Sequence, residues 1–211
     1  MPLIDITPVL SDRTKVYPGD TRPSREILCS LEEGAPVTLS TLHTSVHVGA
    51  HADAPGHYGA GGRGIEQQPI ELYVGPCHLM RAKGPRGGRL GLHHLEGPIP
   101  ETERLLIDTG TFDGVEDWND DYCGLEPELV DHIAAKGVRL VGVDAPSVDT
   151  QESKDLPAHA RFFANDVSII EGLLLRNVQP GPYELIALPL PLEGFDGSPV
   201  RAILRTVMSA P

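Results

Sequence analysis

Apolar residues lie along the chain in short runs, and most runs have the length of a β-strand. Residues 104–108 and 138–144 are almost continuously apolar, which is typical of strands buried on both faces of a sheet. Between them, residues 127–136 repeat apolar positions at helical spacing, with Pro127 in the first turn and Gly137 after the end. This strand–helix–strand order predicts a crossover in a partly parallel sheet.

Further apolar runs predict the remaining strands. Residues 37–42 alternate apolar and polar positions, which indicates a half-buried strand that leads directly into a loop rich in histidine. The other predicted strands are residues 3–6, 72–74, 77–80, 183–188 and 200–207. Because neither an internal repeat nor a linker is visible, we predict one α/β domain over residues 1–211, with a mixed β-sheet flanked by helices.

Composition excludes several classes of partner. The 211 residues are 40% hydrophobic and 22% charged, as in a soluble globular protein, and the net charge of -13 opposes binding to nucleic acid or an anionic membrane. No apolar stretch is long enough to span a bilayer, and the first residues do not have the pattern of a signal peptide. The three cysteines are widely spaced, so we expect reduced thiols and a cytoplasmic location.

The histidine-rich loop carries the clearest chemical signal. His47, His51 and Asp53 have the spacing His-x3-His-x-Asp, and His57 follows four residues later. Imidazole nitrogens and carboxylate oxygens are ligands that borderline divalent metals prefer, and in an extended segment His51 and Asp53 point to the same face. Histidines that merely hydrogen-bond or face solvent are the simpler explanation, but the combined spacing favours one half of a metal site.

A second half is predicted later in the chain. His159 lies in a predicted loop, and Glu171 lies within an apolar run at residues 167–175. A buried, unpaired carboxylate costs several kcal/mol, so Glu171 needs either a metal ion or an ion pair with Arg161 or Arg176. Counted as ligands, His159 and Glu171 raise the total to five, which is too many for one tetrahedral zinc and indicates two metals that share a carboxylate.

His57 is left over by this ligand count. It is either an additional ligand or an acid–base group that passes a proton from an attacking water to a leaving group. Two divalent cations held by two carboxylates and a hydroxide keep a net positive charge, which favours an oxyanion forming on a substrate carbonyl. The residues therefore predict a hydrolytic metal centre.

Residues 47–58 resemble the HxGxHxDxPxH signature of the cyclase-like metal-dependent hydrolases. The likeness extends to residues 17–20, 143–149, 188–190 and 196–202, and it favours the branch of bacterial kynurenine formamidases (arylformamidases). It implies an α/β fold with a central barrel-like sheet, a homodimer and two divalent metal ions. Zinc is expected, and manganese and cobalt accept the same ligands.

The resemblance also assigns roles to residues. It implies that one metal is bound by His47, His51 and Asp53. The second metal would be completed by Asp53, His159 and Glu171, with the two carboxylates shared. These ligands agree with those predicted from the residues themselves.

The implied reaction is the hydrolysis of N-formyl-L-kynurenine to L-kynurenine and formate. A metal-activated hydroxide would attack the formyl carbon, and His57 would donate and accept the proton. Tyr17 stands where the family usually has a tryptophan that contacts the aromatic substrate, so we expect Tyr17 to bind the substrate ring. The alternatives are isatin or another cyclic or aryl amide at the same centre, and a metal-binding protein without turnover.

Overall fold

A computed structural model of the chain describes residues 2–112 and 114–207. In chain order its strands are β1 (Leu3–Asp5), β2 (Ser24–Cys29), β3 (Leu39–His43), β4 (His51–Asp53), β5 (Val74–Arg81), β6 (Arg89–Leu90), β7 (Arg104–Asp108), β8 (Gly124–Leu125), β9 (Leu140–Val143), β10 (Ser168–Glu171), β11 (Gly181–Ile186), β12 (Gly197–Pro199) and β13 (Ile203–Thr206). The α-helices are α1 (Pro55–Tyr58), α2 (Pro127–Ala135) and α3 (Pro157–Ala164). Short 3-10 helices occur at Leu31–Glu33, Ile65–Gln67, Ile70–Tyr73 and Leu92–His94. Within the described ranges, every helix is too short or too polar to cross a membrane.

Nine of the strands form one curled mixed sheet, a half-barrel, in the order β1-β13-β11-β5-β7-β9-β10-β4-β12. Strands β5, β7, β9 and β10 run parallel to one another, whereas the strands on either side of this group join it antiparallel. This arrangement confirms the predicted α/β class with a mixed, barrel-like sheet.

The predicted crossover is confirmed. Strands β7 and β9 are parallel neighbours, and α2 lies between them in the chain. The apolar face of α2 is buried through Leu129, Val130 and Ile133, and each such side chain contributes about 1.5–3 kcal/mol relative to an exposed one. Gly137 ends the helix with a φ of +84°, a conformation that glycine adopts without a steric penalty.

Strand β5 differs from the two strands predicted on either side of Gly75 and Pro76. It is continuous from Val74 to Arg81, with Pro76 opposite Glu184 of β11. Proline is tolerated here because pairing with β7 begins only at His78, so the missing N–H of Pro76 removes no bond to that strand.

Strand β3 is also corrected. It is predicted to be half-buried, but it pairs only with β2 in a separate two-stranded ribbon. Leu39 and Leu42 are 52% and 63% exposed. Its alternating pattern suggested one buried face, but no other described element pairs with this ribbon.

The strand that fixes the histidine loop is β4, which was not predicted from the sequence. All three of its residues are buried, and it lies between β10 and β12 with both neighbours antiparallel. His51 is directly opposite Glu171 of β10, and opposite residues on neighbouring strands lie side by side on one face. His51 and Asp53 are two residues apart and share that face, so the sheet itself brings His51, Asp53 and Glu171 together.

Gly172 allows the loop before β4 to approach β10 closely. Its φ is +70°, and a Cβ there would collide with the backbone carbonyl of Gly49. Gly194 has a similar φ of +75°, but a Cβ added at this position would have no neighbouring atom within 4 Å. Alanine substitutions at these two positions therefore distinguish the cost of the backbone conformation, which both would have, from the cost of steric overlap, which only Gly172 would have.

We expect Gly172→Ala to lower the free energy of unfolding by clearly more than Gly194→Ala. The left-handed conformation alone costs an alanine roughly 1–2 kcal/mol, and only Gly172 adds a collision with backbone. Urea denaturation of both variants measures the difference. Equal losses would contradict the close approach of Gly172 to Gly49.

Candidate metal centre

The five side chains predicted to bind metal are brought together at the end of the β4–β10 pair. Nε2 of His51 lies 3.5 Å from Oδ1 of Asp53 and 3.3 Å from Oε2 of Glu171. Nε2 of His159 lies 3.6 Å from Oδ2 of Asp53 and 3.7 Å from Oε1 of Glu171. Nδ1 of His47 is 2.9 Å from Oδ1 of Asp53. Three imidazoles thus surround two carboxylates.

The outer nitrogens of two of these histidines are held by acceptors. Nδ1 of His51 lies 3.0 Å from the carbonyl oxygen of Gly49, and Nδ1 of His159 lies 2.8 Å from Oδ2 of Asp149. Each Nδ1 must donate its hydrogen, so in a neutral ring Nε2 carries the lone pair and faces carboxylate oxygens. Two acceptors that face each other require a cation between them, either a proton or a metal.

His47 follows the same scheme with its nitrogens exchanged. Nε2 lies 3.1 Å from Oδ2 of Asp196, and Nδ1 faces Asp53. Histidines that bind a metal usually donate their other N–H to a carboxylate or a carbonyl, which fixes the ring and its tautomer. All three candidate ligands therefore have the arrangement that is typical of metal-binding histidines.

One carboxylate oxygen tests whether a metal fits. Oδ2 of Asp53 is buried and has no hydrogen-bond partner, and the Asp53 side chain is only 1% exposed. An unpaired oxygen of a buried carboxylate is costly, whereas a divalent cation would satisfy it. The nitrogen and oxygen donors around it are those that zinc and similar borderline metals bind.

Without a metal, protons supply the missing positive charge. Burial lowers the pKa of His47, but hydrogen bonds to Asp53 and Asp196 outweigh burial and raise that pKa to about 9. Burial also lowers the pKa of His159, but its hydrogen bond to Asp149 and the nearby carboxylates of Asp53 and Glu171 raise it to about 10. Burial raises the pKa of Asp53, yet its histidine partners bring it well below its ordinary value.

His57 lies beside the cluster on the solvent side. It is the third residue of α1, which starts at Pro55 because proline suits the first turn of a helix. Its ring centroid is 4.0 Å from that of His47, and its Nδ1 is 3.1 Å from Oδ2 of Asp196. One His57 nitrogen also lies within 4.8 Å of an oxygen of Asp53. This position is compatible with both roles considered for His57.

His159 lies on a helix rather than in the predicted loop. Pro157 starts α3, and His159 belongs to its first turn. Leu156, the residue before the helix, supplies no side-chain cap, and Asp149 caps the helix from a distance by accepting bonds from the N–H groups of Ala158 and His159. The same carboxylate accepts the His159 ring hydrogen, so one residue fixes both the helix and the ligand.

Glu171 has none of the arginine partners considered for it. Its Oε1 accepts a hydrogen bond from the Val148 N–H at 2.7 Å, and its remaining described contacts are to His51 and His159. Arg161 pairs instead with Asp131. The ion-pair alternative for Glu171 is therefore wrong for the residues that the structure describes.

Comparison with known proteins identifies the family. The Cyclase family model, described as "Putative cyclase", matches residues 4–150, more than half of the chain. The chain belongs to the Cyclase family. Two solved structures share 29% identity with it at a TM-score of 0.78: a potential metal-dependent hydrolase with cyclase activity, and a predicted metal-dependent hydrolase from Bacillus stearothermophilus. The matches cover 96% of this chain and 96% and 97% of those chains.

A third similar structure is isatin hydrolase A from Ralstonia solanacearum, with 22% identity and a TM-score of 0.82. The match covers 96% of this chain and 91% of that chain. At this level of identity the similarity establishes a shared fold and no more.

A cavity of about 500 Å³ opens onto the histidine–carboxylate cluster, and aromatic side chains form part of its wall. Tyr17, the residue predicted to bind substrate, lines it together with Phe112 and Trp118. The Tyr17 hydroxyl donates to the Gln151 carbonyl at 2.8 Å, and Nε1 of Trp118 donates to Oε1 of Gln151 at 3.0 Å. Both polar atoms are thereby occupied, which fixes the two rings beside the cavity.

Asp149 and Asp196 were not predicted from the sequence, and neither were the aromatic residues Phe112 and Trp118. Asp149 and Asp196 belong to segments that resemble the family, but no spacing relates them to the histidines they hold. Asp149 is ten residues from His159 and Asp196 is 149 residues from His47. These carboxylate–histidine contacts are therefore seen only in the folded structure.

The raised histidine pKa values make the metal-free protein sensitive to alkaline pH. The folded pKa values of His47 and His159 are about 9 and about 10, against an ordinary value of 6.5. Their stabilising contribution is therefore complete below pH 6.5 and is lost as the pH rises through the folded values. We expect the free energy of unfolding of the metal-free chain to fall by on the order of a few kcal/mol over this interval.

Urea denaturation of chelator-treated protein at a series of pH values measures this fall. The zinc-loaded protein is the control, because a bound cation replaces the protons and should flatten the profile. A metal-free profile that stays flat or rises toward pH 10 would contradict the protonated cluster.

Proposed function

We propose that this Cyclase-family chain is a metal-dependent amide hydrolase that cleaves N-formyl-L-kynurenine to L-kynurenine and formate. The observation that carries the proposal is the position of the buried histidine–carboxylate cluster next to a cavity with an aromatic wall. The similar structures described as metal-dependent hydrolases support the reaction class. The aromatic wall supports an aryl substrate.

Two divalent metals, with zinc as the expected element, would be held by the five clustered side chains. His47, His51 and Asp53 would bind one, and Asp53, His159 and Glu171 would complete the other. When bound, such ions polarise a carbonyl, acidify a water molecule and stabilise negative charge on oxygen. The orphaned oxygen of Asp53 and the inward lone pairs of the histidines support this assignment.

His57 would carry the proton. An amide releases its amine only if the nitrogen is protonated, and the attacking water must lose a proton, so one group that does both is sufficient. His57 lines the cavity, lies beside the cluster and is about one-third exposed, which allows exchange with a substrate in the cavity. The other histidines of the cluster are assigned to metal binding, which leaves His57 as the imidazole available for proton transfer.

A cyclic aryl amide such as isatin is the alternative substrate. Isatin hydrolases have the same fold at 22% identity, and the same cavity chemistry would accept either a cyclic or a linear aryl amide. A non-catalytic metal-binding role is less consistent with a cavity that opens onto the cluster. The homodimer and the cytoplasmic location expected from the sequence stay predictions.

The first test is turnover of N-formyl-L-kynurenine before and after verified removal of metal. We expect activity to disappear on chelation and to return with zinc, manganese or cobalt. His57→Ala should lower kcat by about 10²- to 10⁴-fold, the usual range for an acid–base group, with nearly unchanged metal content. His93→Ala, which changes an exposed histidine outside the cavity, is the matched control.

Full activity without metal would reject the metal mechanism. No turnover with both metals bound, combined with turnover of isatin, would replace the proposed substrate by the alternative one. Loss of metal in His57→Ala would make His57 a ligand.

The second test concerns the aromatic wall. We expect Tyr17→Ala to raise KM for the aryl formamide about 2- to 10-fold with kcat nearly unchanged, since an aromatic contact worth about 0.5–1.5 kcal/mol would bind ground state and transition state alike. Tyr17→Phe keeps the ring, loses only the hydroxyl bond to Gln151, and is the control. An unchanged KM in Tyr17→Ala would place the substrate ring elsewhere.

A further inference from the structure

We infer that Asp196 is a positioning residue for His57: its carboxylate holds the Nδ1–H of the imidazole and so leaves Nε2 as the nitrogen that exchanges the proton. The inference rests on the proposed function for the reaction itself. The arrangement of the two side chains rests on the structure alone.

A single carboxylate oxygen serves two imidazoles. Oδ2 of Asp196 lies 3.1 Å from Nδ1 of His57 and 3.1 Å from Nε2 of His47. The two rings face each other, with centroids 4.0 Å apart and planes inclined by 32°. Because the carboxylate can only accept, both nitrogens must donate to it.

The backbone holds Asp196 and the helix of His57 in one unit. The Ala54 N–H donates to the carbonyl oxygen of Asp196 at 2.8 Å, and the His57 N–H donates to the carbonyl oxygen of Ala54 at 2.9 Å. Ala54 is the residue just before α1. The distance between the carboxylate and the His57 ring is therefore set by short hydrogen bonds and does not depend on a flexible loop.

Gly197 allows the second imidazole, that of His47, to pack close to the backbone next to Asp196. It follows Asp196, is paired with Asp53 across β12 and β4, and a Cβ on it would come within 2.8 Å of the Cε1 atom of His47. The His47 ring therefore packs directly against the β12 backbone, and the Asp196 carboxylate lies at the shared edge of both imidazoles.

This arrangement has a clear chemical consequence for His57. A histidine whose Nδ1–H is held by a carboxylate keeps one tautomer and one ring orientation, with the lone pair of Nε2 left to exchange the proton. The Asp196 side chain is 49% exposed, so water weakens the interaction relative to a fully buried pair. Its effect should therefore not exceed that of His57 itself.

A purely structural explanation is that Asp196 only supports His47 as a metal ligand. If so, replacing Asp196 would lower metal affinity by about 10- to 100-fold, and excess metal would restore activity. A positioning role toward His57 leaves kcat low when the metal sites are full. Saturating zinc, with metal content measured directly, therefore separates the two explanations.

The kinetic test compares Asp196→Ala, Asp196→Asn, His57→Ala and the double variant with Ala at both positions, all at saturating zinc. We expect Asp196→Ala and Asp196→Asn to lower kcat for the aryl formamide by about 10²-fold with KM within a few-fold. The double variant should be no slower than His57→Ala alone, because residues that act as a unit are not additive. Glu193→Gln removes an exposed carboxylate three residues away and is the matched control.

Three kinetic results would overturn the inference. They are an unchanged kcat in both Asp196 variants, full recovery on zinc saturation, and additive losses in the double variant.

A spectroscopic test needs no substrate. In zinc-loaded protein with ¹⁵N-labelled histidine, the signals of His57 are assigned by their loss in His57→Gln. Wild-type His57 should carry its proton on Nδ1 when the ring is neutral, and Asp196→Ala should move the proton to Nε2. An identical tautomer in both proteins would overturn the inference. Absence of any aryl amide turnover in the wild type would reject the proposed function, whereas the tautomer comparison would still decide the role of Asp196.

Discussion

Two carboxylates, Asp53 and Glu171, are buried next to each other with no arginine or lysine beside them in the described part of the chain. Their side chains are 1% and 4% exposed. Charges in such a position are stable only if positive charge is supplied at short range. The chain supplies it with three imidazoles, whose other nitrogens are already held by fixed acceptors. The surrounding strands and hydrogen bonds hold these five side chains in place.

The backbone achieves this with strands and small residues rather than long helices. Because β4 lies between β10 and β12, the face that carries His51 and Asp53 is fixed by hydrogen bonds on both edges. Gly172 and Gly197 allow neighbouring backbone and the His47 ring to approach within distances that a larger residue would prevent. Preorganisation of this kind costs conformational entropy during folding, and it would spare the site from ordering these side chains on binding the proposed metals.

The sequence predicted those features that depend on local pattern. The crossover through α2 follows from helical spacing between two apolar runs, and the shared face of His51 and Asp53 follows from their separation by two residues. Features decided by distant parts of the chain were missed or wrong. The alternating pattern of β3 does not reveal that the rest of the described chain leaves its apolar side chains exposed. The start of α3 was missed because its cap, Asp149, comes from outside the helix.

Asp149 and Asp196 both accept a hydrogen bond from a histidine, but they differ in burial, and burial changes what the carboxylate does to the histidine. Asp149 has no exposed side-chain surface, and its charge is balanced by Arg89 at 2.6 Å as well as by His159. This buried anion holds the His159 ring in one orientation, and removing it would leave the Arg89 guanidinium without its carboxylate partner. Asp196 is half exposed at the cavity edge, so water screens its interaction with His47 and His57. The proton transfer proposed for His57 fits this second kind of partner, because screening by water lowers the free-energy cost of a change of charge at the cavity edge.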